Sequence, residues 1–244
     1  MALDILAEQF DARFVISLPE RADRRRAFFA DISKITTAKV ELRPGHRYDT
    51  AAGFRSVGER GSMSSQIAVL REAYETGYRR VLVMEDDCVV HTGINEIGDS
   101  LKLALGSSSW DIALLGVLPA TPLRAVGNPA RPLVRSPVGV YGAHMVAYTR
   151  DCIRRLLPEL ARRYELPFDA EEGHPITFDG ELTLARWQLR LRSLVAIPSL
   201  AAQRPSRSDI TPGKWDSTSF GRSRLGRVAL GSARRVVGRL RAVA

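Results

Sequence analysis

The chain has 244 residues and a mass of 27.0 kDa, which is the size of one domain with at most a short appendage. Hydrophobic residues make up 45% of it and charged residues 26%, so a chain that is disordered throughout is excluded. The formal net charge is +9 and the isoelectric point is near 10.1. Taken alone, these values point to a nucleic acid or an anionic membrane as partner.

The positive charge is concentrated at the C-terminus. Residues 221–244 contain seven arginines and no acidic residue, and removing those seven charges leaves +2 for residues 1–220. A nearly neutral body argues against a nucleic-acid partner, so nucleic-acid binding is kept only as a remote alternative. Wound as a helix, residues 221–244 would separate apolar residues from most of the arginines, as segments that lie on anionic membranes do. A solvated, disordered terminus is the other interpretation.

The cysteine count and the first residues bear on the compartment. The two cysteines, Cys88 and Cys152, cannot form a disulfide framework or, alone, a zinc site. The first ten residues lack the basic flank and apolar run of a secretory signal. No stretch reaches the roughly 18 apolar residues of a membrane span. We therefore expect a cytoplasmic protein, with residues 221–244 as a candidate contact with the inner face of the plasma membrane.

The first elements follow from apolar patterns. Residues 14–18 form a short apolar run that predicts a buried strand, and residues 20–32 predict a helix. Residues 39–43 alternate and predict a second strand that ends at Pro44. The polar, glycine-containing residues 45–61 are expected to form a loop.

A helix and a buried strand come next. Apolar residues from Met63 to Tyr74 recur on one helical face, which closes at Gly77. Residues 81–84 are all apolar, which is typical of a central parallel strand covered on both faces. The order strand, helix, strand predicts an α/β/α sandwich with a mainly parallel sheet.

The second half of the chain continues this alternation. We expect helices at 95–105, 152–164 and 178–187, and strands at 111–115, 140–148 and 189–197. Pro158 predicts a kink or an early stop in its helix. Residues 119–137 contain five prolines and are expected to be irregular, and residues 198–221 to be extended.

Three adjacent carboxylates follow the predicted central strand. Glu85, Asp86 and Asp87 repel one another, which suits the carboxyl edge of a parallel sheet, where ligands bind in open α/β folds. A divalent cation offsets such repulsion, and hard oxygen ligands favour Mg²⁺ or Mn²⁺ bridged to substrate phosphates. A solvated acidic turn is the alternative interpretation.

Other polar groups gather near predicted strand and helix ends. Asp179 and Glu181 open a predicted helix, either as capping acids or with one of them as a general base. The arginines of residues 21–26 follow the first strand and either pair with phosphate or form a solvated helix face. His144 is more often a structural residue than a ligand in such a context, and Cys88 is expected to be a small buried side chain.

Six segments, in this order, resemble glycosyltransferase family 25, the bacterial lipooligosaccharide-type galactosyltransferases and their relatives. The segments are FVISLPERADRR at 14–25, GERGSMSSQI at 58–67, VLVMEDDCVV at 81–90, YGAHMVAYTRDCIRRL at 141–156, FDGEL at 178–182 and PSLAAQRPSRSDI at 198–210. Together they span about residues 12–212, which predicts a catalytic domain at 1–212 and a basic tail at 213–244.

The resemblance implies a GT-A-like nucleotide-sugar-binding fold and an enzyme that transfers a hexose, with galactose favoured, from a UDP-sugar. The acceptor implied is a hydroxyl of a lipid-linked or surface glycan, and the transfer implied is inverting. Carried onto this chain, Asp87, with Asp86 or Glu85, would bind Mn²⁺ or Mg²⁺ and the diphosphate.

The resemblance also implies roles for residues outside the triplet. The nucleotide-sugar would be met by Ser17, Leu18, Arg21 and Gln66. Asp179 would be the base, with Glu181 as the second catalytic candidate, and the acceptor site or pocket would contain Tyr141, His144 and Gln203.

One departure concerns position 66. The family usually has a Ser-His pair where this chain has Ser65 and Gln66, and a Cys where it has Ser62. Glutamine forms hydrogen bonds but does not take up or release a proton near neutral pH, so donor preference would differ here if the histidine shapes the donor pocket. The change also motivates an alternative, a GT-A-like module that binds nucleotide-sugar without turnover.

Overall fold

A computed structural model of the chain describes residues 4–107, 109–118, 128–137, 139, 141–166 and 177–204. The predicted basic tail lies outside the described residues. Helices are α1 (Ile5–Gln9), α2 (Ala22–Ile32), α3 (Val57–Thr76), α4 (Gly98–Gly106), α5 (Arg150–Tyr164) and α6 (Phe178–Gln188). Strands are β1 (Ala12–Ser17), β2 (Glu41–Pro44), β3 (Arg80–Glu85), β4 (Cys88–Val90), β5 (Ile112–Gly116), β6 (Leu133–Arg135), β7 (Met145–Thr149), β8 (Ser193–Ala196) and β9 (Ala201–Gln203).

The main sheet has the order β2-β1-β3-β7-β5-β8-β6. Five of its seven strands run in one direction, and β7 and β6 run against them. The predicted α/β class with a mainly parallel sheet is therefore confirmed. A separate two-stranded sheet pairs β4 with β9 in antiparallel register.

The sheet separates two hydrophobic cores because successive strand side chains point to opposite faces. Val81 and Val83 of β3 pack in one core with residues of α3, α5 and α6. Leu82 and Met84 pack in the other with residues of α1, α2 and α4. The uniform apolarity of β3 follows from this double burial, and the three layers form the expected α/β/α sandwich.

Helix α3 begins earlier than its apolar periodicity predicts. Ser56 caps it by accepting a hydrogen bond from the backbone N–H of Glu59, so residues 57–61 are helical and their prediction as loop is wrong. The Ser-x-x-Glu pattern of a capping box was the sequence signal for this start. The predicted end is confirmed, since Gly77 adopts a left-handed conformation with φ of 90°.

Several element predictions need correction. Strand β6 lies within the segment predicted to be irregular, whereas β9 agrees with the extended backbone predicted for residues 198–221. Each has three residues, too few for a visible alternation. Helix α5 continues through Pro158, so the early stop is wrong. Cys88 and Cys152 are free and buried, as expected for Cys88. Within the described ranges, no helix is long and apolar enough to cross a membrane.

Candidate active site

The acidic triplet lies at the carboxyl edge of the sheet. Strands β1, β2 and β3 are parallel neighbours that end at Ser17, Pro44 and Glu85. Their C-terminal residues therefore meet at one edge, as the strand pattern predicted. Strand β4 begins directly after Asp87 and pairs with β9, so Cys88 lies opposite Gln203 in the register. This pairing brings the end of β9 to the triplet.

Asp86 is held by two elements. Its side chain accepts a hydrogen bond of 2.6 Å from the hydroxyl of Ser17 and one of 3.1 Å from Nη1 of Arg24. Only 5% of Asp86 is exposed. Ser17 ends β1 and Arg24 lies in the first turn of α2, so Ser17, one of the residues predicted to meet the nucleotide, is hydrogen-bonded to the triplet.

Asp87 is buried and incompletely bonded. Its Oδ2 accepts a hydrogen bond of 3.0 Å from Nε2 of Gln203 and lies 3.6 Å from Nη1 of Arg24. Its Oδ1 is buried without a hydrogen-bond partner among the described residues. Burial raises the pKa of Asp87 to about 6, and the positive charge of Arg24 opposes that rise. Asp87 thus keeps one carboxylate oxygen without a hydrogen bond from the described residues.

Asp179 is electrostatically coupled to the triplet although 92 residues separate it from Asp87. It lies in the first turn of α6, where its Oδ2 accepts a hydrogen bond of 2.7 Å from the backbone N–H of Gly142. Burial, followed by the charges of Asp87, Asp179 and Asp86, raises the pKa of Glu85 to about 8. Glu85 therefore holds a proton more readily than an exposed carboxylate does.

Glu181 is engaged elsewhere. It is 1% exposed, and its Oε2 accepts a hydrogen bond of 2.9 Å from Nη1 of Arg163 in α5. This ion pair joins α5 to α6 in the interior. Its geometry favours a structural role, so the catalytic assignment of Glu181 stays a sequence prediction without support from its contacts.

His144 is a buried neutral side chain. It is 1% exposed, and its Nε2 lies 3.2 Å from the carbonyl oxygen of Ala201, to which it donates. A Cβ on Gly116 would lie 2.7 Å from the ring, so the imidazole packs directly against the end of β5. Burial lowers the pKa of His144 to about 4. By contrast, Tyr141 is 54% exposed and lies beside the Gly142 that anchors Asp179.

We expect His144 to make the protein acid-sensitive. Its pKa of about 4 lies below the ordinary 6.5, so protons bind the unfolded chain more readily and stability falls as pH drops from 6.5 towards 4. Between pH 7 and 4.5, wild type should lose about 2 kcal/mol more unfolding free energy than His144→Gln. Urea unfolding at both pH values measures this difference. Equal losses in the two proteins would contradict it.

The other residues predicted to contact the nucleotide-sugar have separate partners. Leu18 accepts a hydrogen bond through its carbonyl oxygen from Arg25, which fixes the chain after β1. Arg21 pairs with Asp23 at 3.1 Å in the first turn of α2. Gln66 is 2% exposed on α3, and its Oε1 has no hydrogen-bond partner among the described residues.

Sequence reasoning missed a histidine at the end of β2. The Nδ1 of His46 lies 2.7 Å from the hydroxyl of Ser64, and its backbone N–H donates to the hydroxyl of Ser65 at 2.7 Å. The preceding Gly45 donates to the carbonyl oxygen of Ser17, which places His46 beside the edge of β1. An imidazole is therefore supplied next to the Ser64–Gln66 stretch from another element. Its position in a polar loop gave no signal in the sequence.

The carboxylates of the triplet are compatible with a hard cation that has only one or two protein ligands. Among the residues that the structure describes, no group of three or more His, Cys, Asp or Glu side chains is arranged to hold a metal ion. Mg²⁺ is commonly held by one or two carboxylates, completed by water and substrate phosphate, and Mn²⁺ takes the same oxygen ligands. The unpartnered Oδ1 of Asp87, with Asp86 beside it, fits such a set.

Comparison with solved structures gives only distant likeness. A glycosyltransferase involved in glycosylation of the major capsid of PBCV-1 is 10% identical, with 79% of this chain and 91% of that chain covered and a TM-score of 0.49. The mannosyltransferase PcManGT from Pyrobaculum calidifontis, in complex with GDP-Man and Mn²⁺, is 12% identical, with 82% and 58% covered and a TM-score of 0.44.

Comparison with curated proteins shows similarity to members of one family. No sequence-family model matches the chain. "Inactive glycosyltransferase 25 family member 3" of Homo sapiens is 29% identical over 86% of this chain, and the protein of the same name in Mus musculus is 26% identical over 86%. The matches cover 40% and 41% of those relatives, so the chain spans about two fifths of their length. The chain is thus similar over most of its length to curated members of glycosyltransferase family 25, which confirms the resemblance predicted from its sequence.

Proposed function

We propose that the protein is a glycosyltransferase that moves a hexose from a UDP-sugar, with galactose favoured, to a hydroxyl of a glycan acceptor, with inversion, in the synthesis of a surface polysaccharide or lipooligosaccharide. The observation that carries the proposal is the buried, incompletely bonded Asp87 at the carboxyl edge of the sheet. Asp179, electrostatically coupled to the same edge, supplies a second carboxylate for a different task.

The donor half of the site is built from β1, α2 and the triplet. Asp87, with Asp86, would hold Mn²⁺ or Mg²⁺, which when bound supplies positive charge for the leaving diphosphate. Ser17, whose hydroxyl already bonds Asp86, sets the position of the β1 edge against the nucleotide. Gln203 orients Asp87 from β9 through its 3.0 Å hydrogen bond.

The acceptor half is built from α6 and the segment before β7. Asp179 takes the proton of the acceptor hydroxyl while the oxygen of that hydroxyl forms a bond to the anomeric carbon. The bond from the anomeric carbon to the diphosphate breaks, and its electron pair leaves with the UDP. The Gly142 N–H fixes the orientation of the carboxylate through Oδ2. The exposed ring of Tyr141 offers an apolar face to a sugar at the rim.

A module that binds nucleotide-sugar without turnover is the second candidate. Two observations favour it: the curated relatives are named inactive, and position 66 carries a buried glutamine with an unpartnered oxygen. This candidate requires the donor half of the site but no base. Nucleotide-sugar binding without product across a panel of acceptors would establish it.

The proposal also includes association of residues 221–244 with an anionic membrane. It further includes a domain boundary near residue 212. These two parts of the proposal rest on the seven arginines of residues 221–244 and on the extent of the matching motifs. The proposal also includes a cytoplasmic location and no nucleic-acid partner.

The test compares wild type with Asp87→Asn in Mn²⁺-dependent transfer from UDP-hexoses, with product detected by mass spectrometry. We expect wild type to form product, and Asp87→Asn to bind Mn²⁺ at least about tenfold more weakly, since even second-shell changes at metal sites have effects of that size. The control is Asp151→Asn, an exposed carboxylate of α5 paired with Arg154, which should match wild type. Undiminished transfer by Asp87→Asn would refute the metal assignment.

A further inference from the structure

Arg24 lies where a cation for the acidic triplet is expected. Its Nη1 is 3.1 Å from Oδ1 of Asp86 and 3.6 Å from Oδ2 of Asp87, so one guanidinium nitrogen contacts both carboxylates. The side chain of Arg24 is 13% exposed, and those of Asp86 and Asp87 are 8% and 10% exposed. The contact is therefore largely shielded from water and from salt.

The charges of this group do not balance. Two adjacent, buried carboxylates face one guanidinium, while Ser17 and Gln203 add neutral donors. A buried carboxylate requires a compensating charge and filled hydrogen bonds. The Oδ1 of Asp87 has no such partner among the described residues. The arrangement accepts further positive charge at Asp87, on the oxygen that Arg24 does not contact.

A divalent cation at that oxygen would meet Arg24 as a like charge. Both would lie around the same carboxylate, and repulsion between them weakens the attraction of Arg24 to Asp87. Arg24 belongs to the first turn of α2, directly after β1. A phosphate at this junction would face the positive end of a helix and an arginine that can bind it through two nitrogens.

We infer that Arg24 is an exchangeable counterion: it neutralises Asp86 and Asp87 when the site holds no cation, and it transfers to the donor diphosphate when a divalent cation binds Asp87. This inference rests on the proposed function, because it assumes the same metal and donor site. It adds that the cation and Arg24 compete for the carboxylates, whereas Arg24 and the diphosphate attract each other.

The exchange has a signature that a structural clamp lacks. If Arg24 only held the triplet in place, its loss would weaken the binding of both Mn²⁺ and UDP. Exchange predicts opposite signs, with tighter binding of Mn²⁺ alone and weaker binding of UDP in saturating Mn²⁺. Coupling between binding partners at one site commonly changes affinity by about 5- to 150-fold, well above the error of a titration.

The experiment uses the full chain with Arg24→Gln. Mn²⁺ binding without nucleotide is measured from the electron paramagnetic resonance signal of free Mn²⁺, and UDP binding in saturating Mn²⁺ by calorimetry. We expect Mn²⁺ to bind about tenfold more tightly and UDP about tenfold more weakly. Arg26→Gln removes the same charge from an exposed position of α2 and should leave both affinities within about twofold of wild type.

A second variant guards against misfolding. Arg24→Lys keeps the positive charge but loses the planar fork, so Mn²⁺ should bind as in wild type and UDP more weakly. Unchanged or weaker Mn²⁺ binding by Arg24→Gln, or unchanged UDP binding, would overturn the inference. Opposite shifts in a protein that transfers no sugar would uphold it while refuting the proposed transferase activity. Absence of Mn²⁺ binding in wild type would overturn both the metal site and the exchange.

Discussion

Replacing Asp179 with Asn is expected to lower kcat for sugar transfer by about 10²- to 10⁴-fold, the usual contribution of a general base. The amide cannot take the proton of the acceptor hydroxyl. Its oxygen can still accept the hydrogen bond that Gly142 donates, so the position of the side chain is preserved. The KM for the donor should change little because Asp179 is assigned to the acceptor half of the site.

Steady-state kinetics and thermal melting of the same preparations test this expectation. Asp151→Asn is a matched control, since it removes an exposed carboxylate from the first turn of α5. A lower melting temperature with unchanged kcat would assign Asp179 to helix capping, which was its other interpretation from sequence. Loss of turnover without loss of stability would identify it as the base.

The sequence predicted the edge of the sheet at which the acidic triplet lies because only neighbouring strands were needed. Val81 to Met84 identified a doubly covered strand, and the charged residues after it had to lie at its end. Parallel pairing of β1 with β3 then brought Ser17 to Asp86. This inference depends on local pattern and on the rule that the carboxyl ends of parallel strands share an edge.

The partners from distant segments could not be predicted in the same way. An all-apolar strand indicates burial but not direction, and β3 has the antiparallel β7 as its other neighbour. That insertion brings the segment before β7, and with it Asp179, to the carboxyl edge. Gln203 reaches Asp87 through a three-residue strand that carries no periodic signal. The arginine motif after β1 was recognised, but not the pairing of Arg24 with two carboxylates.

The two acids of α6 show why spacing alone misleads. Asp179 and Glu181 are two residues apart, so on a helix their side chains lie about 160° apart around the axis and point to nearly opposite sides. Asp179 bonds Gly142 at the carboxyl edge, while Glu181 points into the contact with α5 and meets Arg163. The sequence placed both acids at a helix start but did not indicate which of them would lie at the carboxyl edge.

This difference leads to a stability prediction for Arg163→Met. Arg163 is 7% exposed and pairs with Glu181 at 2.9 Å and with Glu159 at 3.0 Å. Removing the arginine leaves Glu181, which is 1% exposed, as a buried charge without that partner. Breaking a buried ion pair from one side reduces the unfolding free energy by about 3–5 kcal/mol, a large part of the stability of one domain.

Urea unfolding followed by tryptophan fluorescence measures the loss. The matched control is Arg162→Met on the same helix, because Arg162 is 40% exposed and contacts Glu159 at 2.9 Å. Because Arg162 is the exposed partner and Glu159 keeps its contact with Arg163, we expect Arg162→Met to lose at most about 1 kcal/mol. A loss of that small size for Arg163→Met would contradict the structural assignment of the pair.

Glu181→Gln separates the two roles of Glu181 further because it retains the shape of the side chain. Reduced stability with normal kcat per folded molecule is expected if Glu181 joins α5 to α6. Normal stability with reduced kcat is expected if Glu181 acts on substrate.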